Sequence, residues 1–289
     1  YFRRNNIWKI AMFMKSIYNK IKYNLSRGGY VHRNQESRIL LLLRMIRVAL
    51  TPSTMTLTST LRNGVKIRGK NMAGWGGRGI YIYRDDIEPE LKLLPKLLPK
   101  NGVLIDIGAN VGVYSLSAAK IVGIQGKVIA IEPFPKIFSR LCDNVSLNGF
   151  ETIIRTRNFC IDDKTGPNIL WMNFNRPVAF SLIKIGDASG IPVLSIRLDD
   201  LLKWENLDHV DYIKIDAEGA ESNILIGAET TLRKFRPIIQ VEGFNNSITK
   251  QLKQYKALQV SKTRNTIFIP EEKYNILSDI FDDQWSLIN

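Results

Sequence analysis

The sequence predicts an α/β fold in which helices cover both faces of a largely parallel β-sheet. Between residues 103 and 242, short apolar runs alternate with segments whose apolar residues recur at helical spacing. Two of these apolar runs end close to a carboxylate, Asp106 or Glu132, just before a turn. Alternation of this kind is typical of βαβ units, whose ligands bind at the carboxyl ends of the strands.

The predicted elements follow one another in the order that such a fold requires. Apolar runs predict strands at 103–107, 127–131, 153–159, 212–215 and 237–241, and helical periodicity predicts helices at 113–122, 135–147 and 220–235. Residues 169–196 are irregular and partly β in pattern. Residues 257–260 and 266–269 flank a polar turn, which predicts an antiparallel hairpin at the edge of the sheet.

Composition excludes several classes of protein. A chain of 289 residues with 45% hydrophobic and 24% charged residues can bury a sizeable core, so disorder throughout is excluded. Two cysteines, Cys142 and Cys160, and two histidines are too few for a disulfide scaffold or a Cys- or His-based metal centre. We therefore expect a reducing compartment and a cytoplasmic location.

The net charge of +14 is concentrated at one end of the chain. Residues 1–70 hold 15 Lys or Arg against one acid, Glu36, so the remaining 219 residues sum to zero. Within residues 1–35, apolar residues at steps of three or four alternate with lysines and predict a basic amphipathic helix. Such a helix could dock on the neutral part of the chain, lie on a membrane surface or act as a nucleic-acid arm.

Three regions follow from these patterns. Residues 1–50 form a basic, largely helical extension, residues 51–100 a β-rich and helical lead-in, and residues 101–289 the main domain. Within the lead-in, β-like alternation runs through residue 83, and a helix is predicted over 88–100. The glycine-rich stretch 74–79 lacks the Gly-Lys-Ser/Thr ending of a P-loop. Two interpretations of this stretch remain, a flexible turn, which is favoured, and a lid over a substrate.

The segment 103–112 joins a buried strand to the start of a helix and is a candidate nucleotide site. Gly108 and Gly112 would let the backbone approach a ligand closely, whereas Asn110 stands where a dinucleotide-binding motif has its second glycine. A smaller ligand than a dinucleotide is therefore favoured, with Asp106 accepting from an ammonium group. The alternative is a strand, turn and helix without a ligand.

Two further positions extend this site. Glu132, at the end of the next strand, is well placed to accept from both hydroxyls of a ribose. After the third strand, Ile161 could pack on an adenine ring, and Asp162 or Asp163 could accept from its amine. A solvated turn is the alternative for these last three residues.

These residues resemble the class I S-adenosylmethionine-dependent methyltransferases, and more narrowly the FkbM family. The resemblance covers roughly residues 101–242 and rests on the blocks 104–112, 131–133 and 210–221. It implies a Rossmann-like, seven-stranded methyltransferase sheet with helices on both faces. It also implies S-adenosylmethionine as methyl donor, S-adenosylhomocysteine as product, and a hydroxyl on a glycan or small metabolite as acceptor.

The most specific block contains the candidate catalytic residues. Lys214 and Asp216 lie on the same side of a strand that is otherwise apolar, because side chains alternate along a strand. Asp216 could be a general base oriented by Lys214, or the two could form a structural ion pair. Glu218 and Glu242 could converge with Asp216 on the acceptor's hydroxyls or on a divalent cation. Because carboxylates at strand ends are common without a metal, no metal ligands are predicted.

Two alternative functions follow from the basic N-terminus. One is an RNA methyltransferase that uses it as a nucleic-acid arm, although Asp216-Ala-Glu-Gly219 replaces the Asn/Asp-Pro-Pro-Tyr/Phe block expected of enzymes that methylate base amines. The other is a catalytically degenerate, membrane-associated binding protein. The presence of Asp106, Gly108 and Glu132 argues against this alternative. Because the charge excess lies outside the family resemblance, an anionic membrane is favoured over nucleic acid as the peripheral contact of residues 1–50, if they contact anything beyond their own domain.

Overall fold

The computed structural model describes residues 38–72, 76–172, 180–182, 189–243, 246–260, 264–281 and 285–288. The amphipathic helix predicted within residues 1–35 lies outside these ranges, as does the beginning of the glycine-rich stretch. None of the helices within these ranges is both long enough and apolar enough to cross a membrane.

A helix, a hairpin and several short helical turns precede the central sheet. They are α1 (Arg38–Leu50), β1 (Thr56–Thr60), β2 (Lys66–Lys70), α2 (Arg78–Tyr83), 3-10 turns at Arg84–Ile87 and Pro89–Lys92, and α3 (Leu94–Leu97). The predicted alternation ends earlier than residue 83, because residues 78–83 form α2. The helix predicted over 88–100 is broken into a 3-10 turn and α3, since Pro95 has no amide hydrogen and restricts the residue before it.

The remaining elements alternate between strands and helices, as predicted. The strands are β3 (Val103–Ile107), β4 (Lys127–Ile131), β5 (Ile154–Arg157), β6 (Cys160–Ile161), β7 (Gly166–Met172), β8 (Phe180–Ser181), β9 (Ser189–Ile196), β10 (Tyr212–Ile215), β11 (Ile238–Glu242), β12 (Tyr255–Val260), β13 (Asn265–Pro270) and β14 (Trp285–Ile288). The helices are α4 (Val113–Val122), α5 (Pro135–Asn148), α6 (Leu198–Trp204), α7 (Glu221–Ile226), α8 (Glu229–Phe235), α9 (Asn246–Gln251) and α10 (Glu271–Leu277), followed by a 3-10 turn at Ser278–Ile280.

Eight strands of the described residues form the central sheet, in the order β14-β12-β13-β11-β10-β3-β4-β5. The five from β11 to β5 run parallel, and β13, β12 and β14 are antiparallel. The predicted C-terminal hairpin is therefore confirmed as β12 and β13, and β14 adds an eighth strand at that edge. A smaller sheet, in the order β6-β9-β7-β8, contains the segment that the sequence left as irregular.

Helices cover both faces of the central sheet and enclose two apolar cores. On one face, Leu104 and Val128 of the sheet pack with Leu116 of α4 and Leu141 of α5. The lead-in belongs to the same core, which also contains Leu61, Val65, Ile67, Ile80 and Leu94. On the other face, the core is formed by β3, β4, β10 and β11 with α6, α7, α8 and α9. This architecture confirms the predicted α/β fold.

The helix predicted over 220–235 is divided at Gly227 into α7 and α8. A Cβ at Gly227 would lie 2.3 Å from the backbone oxygen of Asp162, so the chain passes directly against the small sheet at this point. A side chain could not fit there without moving the backbone, which explains why the break falls at a glycine.

Candidate active site

The turn after β3 is tied to the end of β10 through Gly108. Gly108 has φ +78°, and a Cβ there would lie 1.9 Å from the backbone oxygen of Asp216. Only glycine tolerates both the left-handed backbone and this close approach. Asn110 follows with φ +51°, and its Oδ1 accepts from the amide of Val111 at 2.9 Å. The predicted ligand turn therefore lies against the predicted catalytic strand.

Two adjoining cavities open at the carboxyl ends of the parallel strands. The first cavity is lined by residues that include Gly108, Asn110, Glu132, Ile161, Asp216 and Glu242. The second cavity is lined by residues that include Gly76, Ile80, Glu88, Tyr114, Lys214 and Asp216. Gly108, Asn110 and Asp216 line both cavities, so the two spaces meet at the turn after β3.

Glu132 presents its carboxylate to the first cavity in a fixed orientation. The side chain is 6% exposed, and its two oxygens accept from the amides of Asn110 (3.0 Å) and Phe134 (2.9 Å). Burial raises the pKa of Glu132 to about 7, against the lowering effect of these two hydrogen bonds. Each oxygen still has a lone pair that can accept from a ligand, as the predicted ribose contact requires.

The far end of the first cavity is apolar. Phe159, Cys160 and Ile161 line it, as does Leu170 from β7 of the smaller sheet. Burial raises the pKa of the Cys160 thiol to about 12, so this side chain is a neutral part of the wall. Ile161 therefore belongs to an apolar wall of the first cavity, and its contact with an adenine ring stays a prediction.

Asp162 accepts hydrogen bonds from two groups outside the lining of this cavity. Its Oδ2 accepts from the side-chain amide of Asn168 at 3.0 Å, and its Oδ1 accepts from the amide of Asp163 at 2.9 Å. Asp162 does not belong to the cavity lining. In this structure the Asp162 carboxylate links residues at the smaller sheet, and its contact with an adenine amine stays a prediction.

Asp106 and Gly112 also lie behind the site rather than in it. Asp106 is fully buried, its Oδ2 accepts from the hydroxyl of Ser115 at 2.6 Å, and it lines neither cavity. Burial is the main cause that raises its pKa. A Cβ at Gly112 would lie 2.8 Å from Leu141, so that glycine allows close packing with α5. Asp106 therefore influences the site through the charge of its neighbour Lys214. Because Asp106 lines neither cavity, this geometry does not support the predicted direct contact with a ligand's ammonium group.

Lys214 lies between two carboxylates. Its Nζ is 3.1 Å from Oδ2 of Asp216 and 3.7 Å from Oδ1 of Asp106, and it stands 5.2 Å from the centre of the Tyr114 ring. Burial alone would lower the pKa of Lys214, but Asp216, Asp106 and Glu88 outweigh it and raise that pKa above its ordinary value. Lys214 is therefore a permanent cation.

Asp216 and Glu242 form a pair of carboxyl groups at the ends of adjacent strands. They share a hydrogen bond, which together with burial raises the pKa of Glu242 to about 8. Burial opposes ionisation of Asp216, but Lys214 and the hydrogen bond from Glu242 hold its pKa below the ordinary value. At neutral pH, Asp216 is ionised and Glu242 carries the proton. Two neighbouring carboxylates would repel each other if both were ionised, so one proton between Asp216 and Glu242 is the stable state.

The loop after β10 places Glu218 at the mouth of the first cavity. Glu218 is exposed, has φ +48°, and accepts at its backbone oxygen from the Ser181 hydroxyl at 3.0 Å. Glu221 fixes this loop, because its buried Oε1 accepts from the amides of Gly219 (2.9 Å) and Ala217 (3.3 Å). The structure therefore brings the predicted residues Asp216, Lys214 and Glu218 together.

Sequence reasoning missed Glu88. This residue follows the 3-10 turn at Arg84–Ile87 and lines the second cavity with Lys214 and Asp216. Burial raises its pKa to about 8, partly offset by the charge of Lys214. No periodicity or motif marks Glu88 in the sequence, since its position depends on how the lead-in packs on the sheet.

Within the described ranges, no group of three or more His, Cys, Asp or Glu side chains is arranged to hold a metal ion.

The chain is similar to three characterised proteins. It is 26% identical over 162 residues to methyltransferase sdnD of Sordaria araneosa, covering 46% of this chain and 62% of that one. It is 26% identical over 151 residues to hexuronic acid methyltransferase AglP of Haloferax volcanii, covering 52% and 59%. It is 24% identical over 204 residues to 2-O-methyltransferase NoeI of Sinorhizobium fredii, covering 61% and 77%. The matches thus span about 60% of the length of the first two relatives.

Among solved structures, a methyltransferase FkbM from Methylobacillus flagellatus aligns with a TM-score of 0.41 at 14% identity, covering 66% of this chain and 54% of that one. The methyltransferase FkbM domain matches residues 106–262, which is 157 of the 289 residues. The match contains Gly108, Glu132, Lys214 and Asp216, around which the two cavities are built. The chain therefore belongs to the FkbM methyltransferase domain family.

Proposed function

We propose that this protein transfers a methyl group from S-adenosylmethionine to a hydroxyl oxygen of a glycan or small metabolite. One observation carries the proposal: the cavity that contains Glu132 adjoins the Lys214, Asp216 and Glu242 cluster at Gly108. A nucleoside held by Glu132 would thus have its reactive end beside a carboxylate that can accept a proton.

The side chains of both cavities fit S-adenosylmethionine. The free lone pairs of Glu132 suit the two ribose hydroxyls, and the wall around Ile161 suits the adenine ring. In the second cavity, Asp216 supplies a negative charge and Glu88 a second carboxyl group, which suit the ammonium group at the amino-acid end of the donor. When bound, the donor supplies a methyl group on a positively charged sulfur.

Asp216 is the proposed general base. A hydroxyl acceptor loses its proton as its oxygen attacks, and Asp216 is ionised, 33% exposed in its side chain, and faces both cavities. Lys214 is the positioning residue, since its charge keeps Asp216 ionised and its 3.1 Å contact fixes the carboxylate. Glu218, which lines the first cavity, is the proposed acceptor-binding residue, and its role is to hold the acceptor oxygen in line with the methyl group.

The relatives support a sugar hydroxyl as acceptor. AglP is described as a hexuronic acid methyltransferase and NoeI as a 2-O-methyltransferase. Both descriptions are consistent with O-methylation, for which an ionised carboxylate is a suitable base.

Isothermal titration with S-adenosylhomocysteine tests the donor site. We expect the full chain to bind it, and Glu132→Gln to weaken binding about tenfold or more, because a charged acceptor of two hydroxyls is lost. Glu229→Gln is the matched control, since Glu229 is exposed on α8 and lines neither cavity. Absence of binding to the unaltered chain would rule out S-adenosylmethionine as donor.

Transfer of an isotopically labelled methyl group tests the acceptor. Extracts divided into glycan, small-metabolite and RNA pools would be incubated with labelled donor and either the unaltered chain or Asp216→Asn. We expect label in a glycan or metabolite pool with the unaltered chain only. Label in RNA instead would contradict the proposed acceptor class.

A further inference from the structure

Helix α1 has two apolar faces, and among the residues that the structure describes only one of these faces is covered. Leu41, Met45 and Val48 point inward and pack on Ile82 and Tyr83 of α2. The opposite face carries large hydrophobic side chains that are 46% to 70% exposed, namely Ile39, Leu40, Leu42, Leu43 and Leu50. A surface helix usually presents polar side chains to solvent, so this second apolar face is unusual.

The exposed side chains form a group, which separates them from other exposed hydrophobics. Ile124, in the turn after α4, and Ile276, on α10, are more exposed, at 86% and 81%, but neither has another exposed large hydrophobic residue next to it in the sequence. Isolated apolar residues at a surface are normal, whereas a contiguous apolar patch indicates an interaction site. In α1, four of the five residues from 39 to 43 belong to the patch.

Cationic side chains border this patch. A groove beside it is lined by Leu40, Leu43, Arg44, Arg47, Tyr81 and Arg84. Arg47 is exposed, and its guanidinium lies 5.9 Å from the centre of the Tyr81 ring. Burial and the neighbouring charge of Arg84 lower the pKa of Arg44, so an anion in the groove would relieve repulsion between these two cations. The sequence of α1 contains no acid.

We propose that this face of α1, with the groove beside it, docks on an anionic membrane surface. Leucines next to guanidinium groups match the two parts of an anionic phospholipid, because leucines bury in the acyl boundary and arginines bind headgroup phosphates. The charge of the whole chain is complementary as well, since residues 1–70 carry the entire excess of +14.

Charge disfavours a second copy of the chain as the occupant. Two α1 faces brought together would place the arginines of one groove near those of the other, with no acid in α1 to compensate. Nucleic acid would use the arginines but leave the leucines in water.

The position of α1 gives this contact a functional meaning. α1 packs on α2, and Ile80 of α2 lines the second cavity. A membrane bound by α1 would therefore lie one helix away from the proposed methyl-transfer site, although the docking itself does not depend on that function.

Vesicle flotation with the full chain tests the proposal. We expect the unaltered chain to float with phosphatidylcholine vesicles that contain phosphatidylglycerol, and much less with phosphatidylcholine alone. Leu40→Glu with Leu43→Glu should reduce the bound fraction about tenfold or more, because it places acids in the apolar patch. Ile124→Glu with Ile276→Glu, which changes exposed isoleucines elsewhere, should float like the unaltered chain.

The remaining outcomes are equally decisive. Thermal unfolding should be unchanged in both double variants, since all four positions are exposed. The proposal is wrong if the unaltered chain does not bind anionic vesicles, or if the α1 variant still floats with them. Two other results would also show that the proposal is wrong, provided that the unaltered chain does not bind vesicles. One is a dimer in light scattering that the α1 variant abolishes, and the other is an RNA complex in a gel-shift assay that the α1 variant abolishes.

Discussion

The amino group of Lys214 lies 3.1 Å from Asp216, and the same cation lies 3.7 Å from Asp106 in the core. β10 and β3 are neighbouring parallel strands in which Lys214 is the register partner of Asp106. One buried charge therefore links a carboxylate of the cavity to a carboxylate of the core, and stability and proposed catalysis depend on the same side chain.

Lys214→Met should be strongly destabilising, because it leaves the fully buried Asp106 without a counter-ion. Removing one partner of a buried ion pair costs about 3 to 5 kcal/mol, which urea unfolding would measure. Lys203→Met, at an exposed position of α6, is the control. The double variant Lys214→Met with Asp106→Asn should recover part of the loss. A cost below about 1 kcal/mol for Lys214→Met would contradict this account.

Gly108→Ala should impair both folding and donor binding. The new methyl group would overlap the backbone oxygen of Asp216, so the turn and the end of β10 must separate. Gly123→Ala is a matched control, because Gly123 has a similar φ of +72° but no atom within 4 Å of the added Cβ. We expect about 1 to 2 kcal/mol of destabilisation for the control, more for Gly108→Ala, and weaker S-adenosylhomocysteine binding only for Gly108→Ala. Equal effects of the two substitutions would show that the contact with Asp216 is unimportant.

Glu242→Gln should change the pH dependence of methyl transfer. As the pH rises through about 8, Glu242 loses its proton, and Asp216 gains a negative neighbour and loses a hydrogen bond. Asp216 then becomes a stronger base, so the rate should increase through this range in the unaltered chain. Glutamine cannot titrate, and a rate profile that still rises near pH 8 in the variant would exclude Glu242 as the cause.

Asp216→Asn should lower kcat by a factor of about 10² to 10⁴, which is the usual contribution of a positioned base. S-adenosylhomocysteine binding should weaken less than kcat falls, because the variant loses only the proposed contact with the ammonium group and retains the ribose and adenine contacts. Comparing kcat with the binding constant therefore separates loss of a base from loss of the donor site. If Asp216→Asn retains its rate, the Lys214 and Asp216 pair is structural only.

The free energy of unfolding should fall as the pH rises from about 4.5 to about 8. Burial raises the pKa of Glu132 to about 7 and that of Glu88 to about 8, and the bond with Asp216 together with burial raises that of Glu242 to about 8. Between the unfolded and folded pKa values, the folded protein binds more protons, so each group stabilises at low pH and loses that contribution as it ionises. Glu88→Gln should make the fall shallower in thermal unfolding at several pH values. If the pH dependence of unfolding is the same in Glu88→Gln and the unaltered chain, the pKa of Glu88 is not raised by burial.

The strands and their carboxyl ends were predictable because they depend on local pattern. Short apolar runs predict β3, β4 and β10, and Glu132, which directly follows β4, lines the first cavity. The role of Asp106 was less predictable, because its partner Lys214 is over 100 residues away and reaches it only through the strand order.

The second cavity depends still more on distant parts of the chain. Glu88 reaches it because the lead-in folds back onto the sheet, and the contacts that hold it there have no periodic signal. Asp162 shows the opposite case. Its position next to Ile161 is local, but its direction is decided by Asn168, on a strand whose pattern the sequence left undefined.

The core shared by the lead-in and the sheet bears on where this protein can be cut. Leu61, Val65 and Ile67 are buried with Leu104 and Val128, although the family match begins only at residue 106. A fragment limited to the matched residues would leave part of that core in water and remove Glu88 from its cavity. The smallest autonomous folding unit therefore includes the hairpin of β1 and β2, and truncation experiments that start at the family boundary would report on a damaged protein.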